Sequence, residues 1–147
     1  MKTLILGVGN LLLKDEGVGI HVIQALEAEN LPVGVHLLDG GTGGFHLMGT
    51  LQEYERIIMI DATLDSQPVG TVRVLQPRYA SDFPLLMSAH EIGLRDMLEA
   101  MALSGNLPEI RLIVISVADV SEVGMELTPK VAAAIPEVIR MVKTQIY

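Results

Sequence analysis

The chain contains no cysteine. Disulfides, thiolate metal sites, cysteine-ligated iron–sulfur clusters and a thiol nucleophile are therefore excluded. Tryptophan is absent too, and two Phe and three Tyr bring the aromatic share to only 3%, although 50% of the 147 residues are hydrophobic. Aliphatic side chains must supply most of the core, helped by eight Met residues whose unbranched thioethers fill irregular gaps. Positive charge is scarce: 10 Lys and Arg face 18 Asp and Glu, for a formal net charge of −8. Neither a nucleic acid nor an anionic membrane is expected as a partner, since both reward a basic face. No run approaches the roughly 18 apolar residues of a membrane span. Lys2 and the apolar stretch after it resemble a secretory signal, but Asn10 interrupts the stretch and Lys14-Asp15-Glu16-Gly17 stands where a small-residue cleavage site belongs. A cytoplasmic location is the expectation.

What the sequence does have is alternation. TLILGVG (3–9), VHLLDGG (35–41), RIIMIDA (56–62) and EIRLIVISV (109–117) are short apolar runs that read as buried strands. TVRVLQP (71–77) alternates and stops at proline, as an edge strand would. Between them, residues 17–29, 44–54, 90–105 and 127–146 have helical spacing. Gly105 is a stop signal for the third helix. Thr128 can cap the fourth, with Pro129 in its first turn, and Pro136 should kink or break it. Five strands interleaved with helices, without repeat or linker, predict one domain over 1–147: a three-layer α/β/α sandwich around a mostly parallel sheet with one edge strand.

In such folds ligands bind beyond the carboxyl ends of the strands, near a reversal of strand order. The polar residues at those ends form a rim. Gly9 and Asn10 close the first strand with Asp15 and Glu16 after them, Asp39 closes the second, Asp61 the third, the turn past the edge strand leads to His90, and the last runs into Asp119.

The rim is open to several readings. GVGNLL (7–12) has two glycines of a dinucleotide fingerprint, but Leu12 stands in place of the third, Asp39 falls later than the usual ribose-binding acid, and Asp15 and Glu16 would repel a pyrophosphate. Neither G-x-S-x-G nor H-E-x-x-H occurs. Glu16, Asp61 and His90 come from three segments and form a donor set for a divalent ion such as zinc, nickel, cobalt or manganese. Each also has a plain structural role open to it: a helix start for Asp15, Glu16 and His90, a turn or cap for Asp61, a glycine-turn closure for Asp39. His21, His36 and His46 read as packing or surface residues.

ILGVGNLLLKDEGVGIHVIQAL, LDGGTGGFHLM, ERIIMIDA, PVGTVRVL, SAHEIGLRDMLEAM and GMELTPKV, in this order, resemble the hydrogenase maturation proteases, from residue 1 to about residue 140. The resemblance implies a twisted sheet between helical layers. It also implies an endopeptidase, grouped with the aspartic type, that cuts a C-terminal extension from a [NiFe] hydrogenase large-subunit precursor once nickel has been inserted. Nickel is then expected to arrive with the substrate, and no organic cofactor is implied. Carried over by motif, the metal-binding and catalytic residues are Glu16 from DEG, Asp61 from IDA and His90 from SAHE. Asp39, Gly40, Gly41 and Thr42 would contact the substrate tail, and Asp15 would support Glu16. The chain departs from the family after its last strand, where SVADVSEVGMEL (116–127) replaces a G-I-Q-P-E-like segment. That leaves open which large subunit is processed. A non-catalytic sensor or chaperone-like binder of nickel-loaded precursor is the alternative, and a dinucleotide-binding oxidoreductase the third.

Overall fold

Where a strand is covered on both faces, both of its side-chain rows must be largely apolar, and three strands among the described residues are of this kind. In the computed structural model, which describes residues 2–41, 47–65, 67–76, 98–105, 107–118 and 123–146, they are β1 (Thr3–Val8), β3 (Arg56–Thr63) and β5 (Glu109–Ser116). They lie side by side at the centre of a five-stranded sheet of order β2-β1-β3-β5-β4. The flanking strands, β2 (Val35–Gly41) and β4 (Val72–Leu75), are only partly buried. All pairings are parallel except β4 with β5. The alternating, proline-terminated segment is thus the antiparallel edge.

Alternation divides the core in two. Leu4, Leu6, Val8, Ile57, Met59, Leu112 and Val114 face a layer holding Leu51 of α2 (Met48–Leu51), together with Leu98 and Met101 of α3, whose residues 98–103 are described. Ile5, Ile58, Ile60, Ile113 and Ile115 face α1 (Val18–Leu26) and α4 (Pro129–Ile146). This is the expected α/β/α sandwich. No helix among the described residues is long and apolar enough to cross a membrane.

Two local expectations are refined. Residues 17–29 do not form one helix from Gly17: a 3₁₀ turn, Lys14–Gly17, carries the two acids before α1 begins. α4 runs unbroken past Pro136. The proline forfeits one backbone hydrogen bond, while Val131, Ala134, Val138 and Val142 anchor the helix on the sheet from both sides of it. Gly105 ends α3 with φ +78°, a left-handed conformation suited to glycine.

Away from the rim, Arg56 and Arg111 share Glu109, with Arg56 Nε 3.2 Å from Oε2 and Arg111 Nη2 2.8 Å from Oε1. The hydrogen bond from Arg111, with Arg56 adding to it, holds the Glu109 carboxyl below the usual glutamate range. Both arginines also reach Gln145 near the end of α4, at 2.8 Å to its carbonyl and 2.9 Å to its Oε1. This network pins the amino ends of β3 and β5 to the closing helix.

α1 lies unusually close to the sheet. A β-carbon on Gly19 would sit 2.3 Å from the carbonyl oxygen of Ile60 and 2.7 Å from that of Val8, and one on Gly7 would sit 2.5 Å from the carbonyl oxygen of Gly19. Helix propensity alone favours Gly19→Ala by about 1 kcal/mol. The clash is with backbone, which cannot rotate away, so the steric cost wins. We expect Gly19→Ala to lose about 3 kcal/mol of stability in urea unfolding; an unchanged midpoint would mean that α1 has room to withdraw.

Candidate active site

The strand order reverses at β1. From β1 the chain crosses by α1 to β2 on one side, and then returns to β3 on the other. Helical crossovers that leave in opposite directions open a crevice beyond the carboxyl ends of β1 and β3. The paired register of these strands ends at Gly7–Ile60, and Asp61 is the next residue of β3. β3 continues to Thr63, so Asp61 lies inside the strand rather than at its last position. It follows Ile57 and Met59 on the face toward α2 and α3, where a carboxylate replaces the apolar row.

The other acid is delivered by the loop after β1. Asn10 closes the first turn, its Oδ1 accepting from Leu12 N–H at 3.0 Å and its carbonyl from Leu13 N–H at 3.0 Å. Lys14 then takes a left-handed backbone with φ +43°, a conformation with a steric cost outside glycine. The 3₁₀ turn that follows packs against β3. Gly9, with φ +142°, lies so close to the Glu16 carbonyl oxygen that a β-carbon would come within 2.0 Å. The glycines of GVGN are therefore used up in seating the protein's own backbone. Carbonyl oxygens of Gly19 and Glu16 are packed against Gly7 and Gly9.

Asp15, Glu16 and Asp61 are 2%, 3% and 5% exposed. Burying carboxylates costs several kcal/mol unless other groups repay it. For Asp15 the repayment is explicit. Thr128 N–H donates to Oδ1 at 2.8 Å and Thr128 Oγ1–H donates to Oδ2 at 2.7 Å. Thr128 does occupy the cap position of α4, since its carbonyl accepts the first helical bond, from Ala132 N–H at 2.9 Å. Its hydroxyl, however, turns to Asp15. Asp61 Oδ1 accepts from Ala62 N–H at 2.8 Å.

The same loop is held from a second direction. Lys14 N–H donates to the Gly124 carbonyl at 2.7 Å, and Gly124 N–H donates to the Leu12 carbonyl at 2.8 Å, a short parallel bridge between residues 13 and 124. His21 Nε2 lies 3.1 Å from the Met125 carbonyl oxygen, a tethering contact of a kind that sequence spacing gave no sign of. His36 Nδ1 pairs with Tyr54 Oη at 2.8 Å, away from the rim. Part of the divergent 116–127 segment is thus bonded directly to the chain that presents Glu16.

On the other side of the loop is an open cleft of about 240 Å³, lined by Gly9, Asn10, Leu11, Ile20, Asp39 and Gly41. Asp39 Oδ1 accepts from Gly41 N–H at 2.9 Å, closing the glycine turn, where Gly41 has φ +53°. Gly40 lies at the end of β2, against Leu6 and the Gly7 carbonyl. The cleft is smaller than the roughly 300–1,000 Å³ of small-molecule sites. Together with the carbonyl oxygens packed against Gly7 and Gly9, this counts against a dinucleotide in this cleft.

The structure places Asp61 inside β3 and Glu16 in the 3₁₀ turn that packs against β3, while Asp39 lines the cleft on the other side of the loop. His90, Thr42, His46 and Asp119 lie outside the described residues, and among the described residues no group of three His, Asp or Glu could hold a metal ion.

If the Thr128 clamp is what seats the loop, Asp15→Ala should cost about 2–3 kcal/mol, the value of charge-assisted bonds to a buried carboxylate. Asp15→Asn, which keeps one acceptor oxygen for Thr128 N–H, should cost less. Urea midpoints of the two variants check both the size and the order.

A protein with buried acids near a strand-order reversal can be compared with known families. The hydrogenase maturation protease model (HycI) matches residues 20–145. The hydrogenase 2 maturation protease of Escherichia coli (strain K12) is 35% identical over 145 residues, spanning 97% of this chain and 88% of that protein. The solved structure of the hydrogenase maturating endopeptidase HybD from E. coli superimposes with a TM-score of 0.88 at 35% identity, over 97% of this chain and 90% of the other. The [NiFe] hydrogenase maturation protease HybD from Thermococcus kodakarensis does so with a TM-score of 0.81 at 30% identity, over the full length of both. Fold and sequence agree: the chain belongs to the hydrogenase maturation protease family.

Proposed function

We propose that this endopeptidase removes the C-terminal extension of a [NiFe] hydrogenase large-subunit precursor after nickel has been inserted, and that it recognises the nickel the precursor carries. The observation that supports this reading best is the placement of Glu16 and Asp61. Glu16, in the turn that packs against β3, and Asp61, inside β3, are both buried acids, and carboxylate oxygens from two segments are donors that a divalent cation carried by the substrate would use. Oxygen donors joined by the imidazole of His90 suit a borderline ion such as nickel, and the chain has no thiolate to compete.

In this reading the metal is part of the substrate. Glu16, Asp61 and His90 complete its coordination and so fix the neighbouring peptide bond at the rim. Hydrolysis then requires a water to add to the scissile carbonyl, a base to take the water's proton, and delivery of a proton to the leaving amine as the C–N bond breaks. A carboxylate of the rim serves as that base, and the metal ion stabilises the oxyanion. The substrate tail lies in the cleft between Asn10 and Asp39, against the glycine turn at Gly40 and Gly41, and Thr42 is the further residue proposed to contact it. Asp15 contributes by holding the Glu16 loop against Thr128. The location in which this happens is the cytoplasm, where the precursor is made.

The test is cleavage of nickel-loaded precursor, read as a shortened large subunit and a released C-terminal peptide. Glu16→Gln, Asp61→Asn and His90→Ala should each lower processing by roughly a hundredfold or more while keeping a cooperative thermal transition. Full activity in any one of them removes that residue from the site. A stable complex with no cleavage by the unaltered protein would make it a sensor of nickel loading rather than a protease.

A further inference from the structure

Among the described residues, seven large hydrophobic side chains are exposed, and three of them, Leu12 (58%), Val123 (78%) and Met125 (56%), are brought to one place by the bridge between residues 13 and 124. Their backbone is fixed on both sides. Leu12 and Lys14 bond to Gly124, and Met125 is held through its carbonyl by His21. Apolar side chains left in water on a backbone already fixed form a surface that needs little ordering to bind. Leu11, one residue away, lines the cleft, and Glu16 is four residues further along than Leu12. The ribbon is thus the lip of the candidate active site.

Its size and composition restrict what can cover it. Three side chains expose a few hundred Å² at most, against the roughly 800 Å² each partner contributes to a stable protein pair, so a second copy of this chain is a poor occupant. The three exposed side chains are all apolar and offer none of the convergent polar groups of a small-molecule pocket. An endopeptidase, however, acts on a polypeptide that continues past the bond being cut, and the stretch of that polypeptide nearest the site must rest on the lip. Residues 10–13, Asn-Leu-Leu-Leu, are uncharged in a chain whose net charge is −8. We propose that Leu12, Val123 and Met125 bind an uncharged, aliphatic segment of the precursor flanking the scissile bond, and thereby select which precursor is accepted. This rests on the protease reading above and adds to it the surface that chooses the substrate.

The test is the triple variant Leu12→Ser, Val123→Ser, Met125→Ser, compared with the unaltered protein in cleavage of the nickel-loaded precursor. Exposed positions tolerate such changes, so the thermal midpoint should hold. KM should rise about tenfold or more while kcat stays within about twofold, the signature of lost uniform binding. An unchanged KM, or a loss confined to kcat, overturns the proposal and leaves the protease reading standing. If the triple variant loses its thermal midpoint, Met125→Ser alone should raise KM about threefold, and no change there overturns the proposal equally. If the unaltered protein does not cut the precursor, the protease reading falls. The lip is then judged by the Kd for the same precursor: about tenfold weakening in the triple variant retains it, and equal or absent binding in both proteins ends it.

Discussion

Backbone rests on backbone where residues 16–19 meet the ends of β1 and β3, at separations that leave no room for a β-carbon on Gly7, Gly9 or Gly19. The conformational entropy that glycine loses on folding works against this arrangement. It is offset because the close contact lets α1 bury Val18, Val22, Ile23 and Leu26 against the sheet without a gap. The 3₁₀ turn at the head of α1 is carried down with it. Glu16 is buried because the helix is close, and the helix is close because three side chains are missing.

That geometry also settles an ambiguity of composition. A glycine-rich loop after the first strand of a parallel sheet offers its N–H groups to phosphate in one class of protein. Here the glycines receive carbonyl oxygens from the chain's own next turn, and the acids follow directly. The same residue types thus produce sites of opposite sign, depending on whether the next segment withdraws from the strand end or lies down upon it. In this chain it lies down, and the local field is that of carboxylates and carbonyls.

Much of the fold is legible because its periods are simple. β2 has the bounds its apolar run and closing glycines suggest, and the doubly covered strands show as continuous aliphatic runs since neither face meets water. The edge strand is betrayed by alternation and by Pro77 after it. Pro136 marks no break: a proline deep in a helical pattern argues for a kink or break, and the helix continues through it with packing on both sides. Among the candidate residues, Glu16 is reached by asking which acids follow strand ends, whereas Asp61, expected at a strand end, lies two residues inside β3. Asp15 can be found the same way, but its partner cannot, because Thr128 is 113 residues distant. Nor does any periodicity reveal the bridge between residues 13 and 124, since a single pair of backbone bonds leaves no pattern in side-chain chemistry. Long-range polar contacts of this kind are invisible to a reading built on local spacing.

The Asp15–Thr128 clamp has a bearing on when the protein becomes competent. β1, α1 and β3 are made early in synthesis, and nothing within them occupies the two oxygens of Asp15. The loop can settle only after the chain has emerged through Thr128 and α4 has docked on the face it shares with α1. Contacts between such distant segments form late, after their loop-closure entropy has been overcome. A ribosome-bound or prematurely ended chain would thus hold most of its sheet and yet lack a seated glutamate. An element made late thus fastens a loop made early.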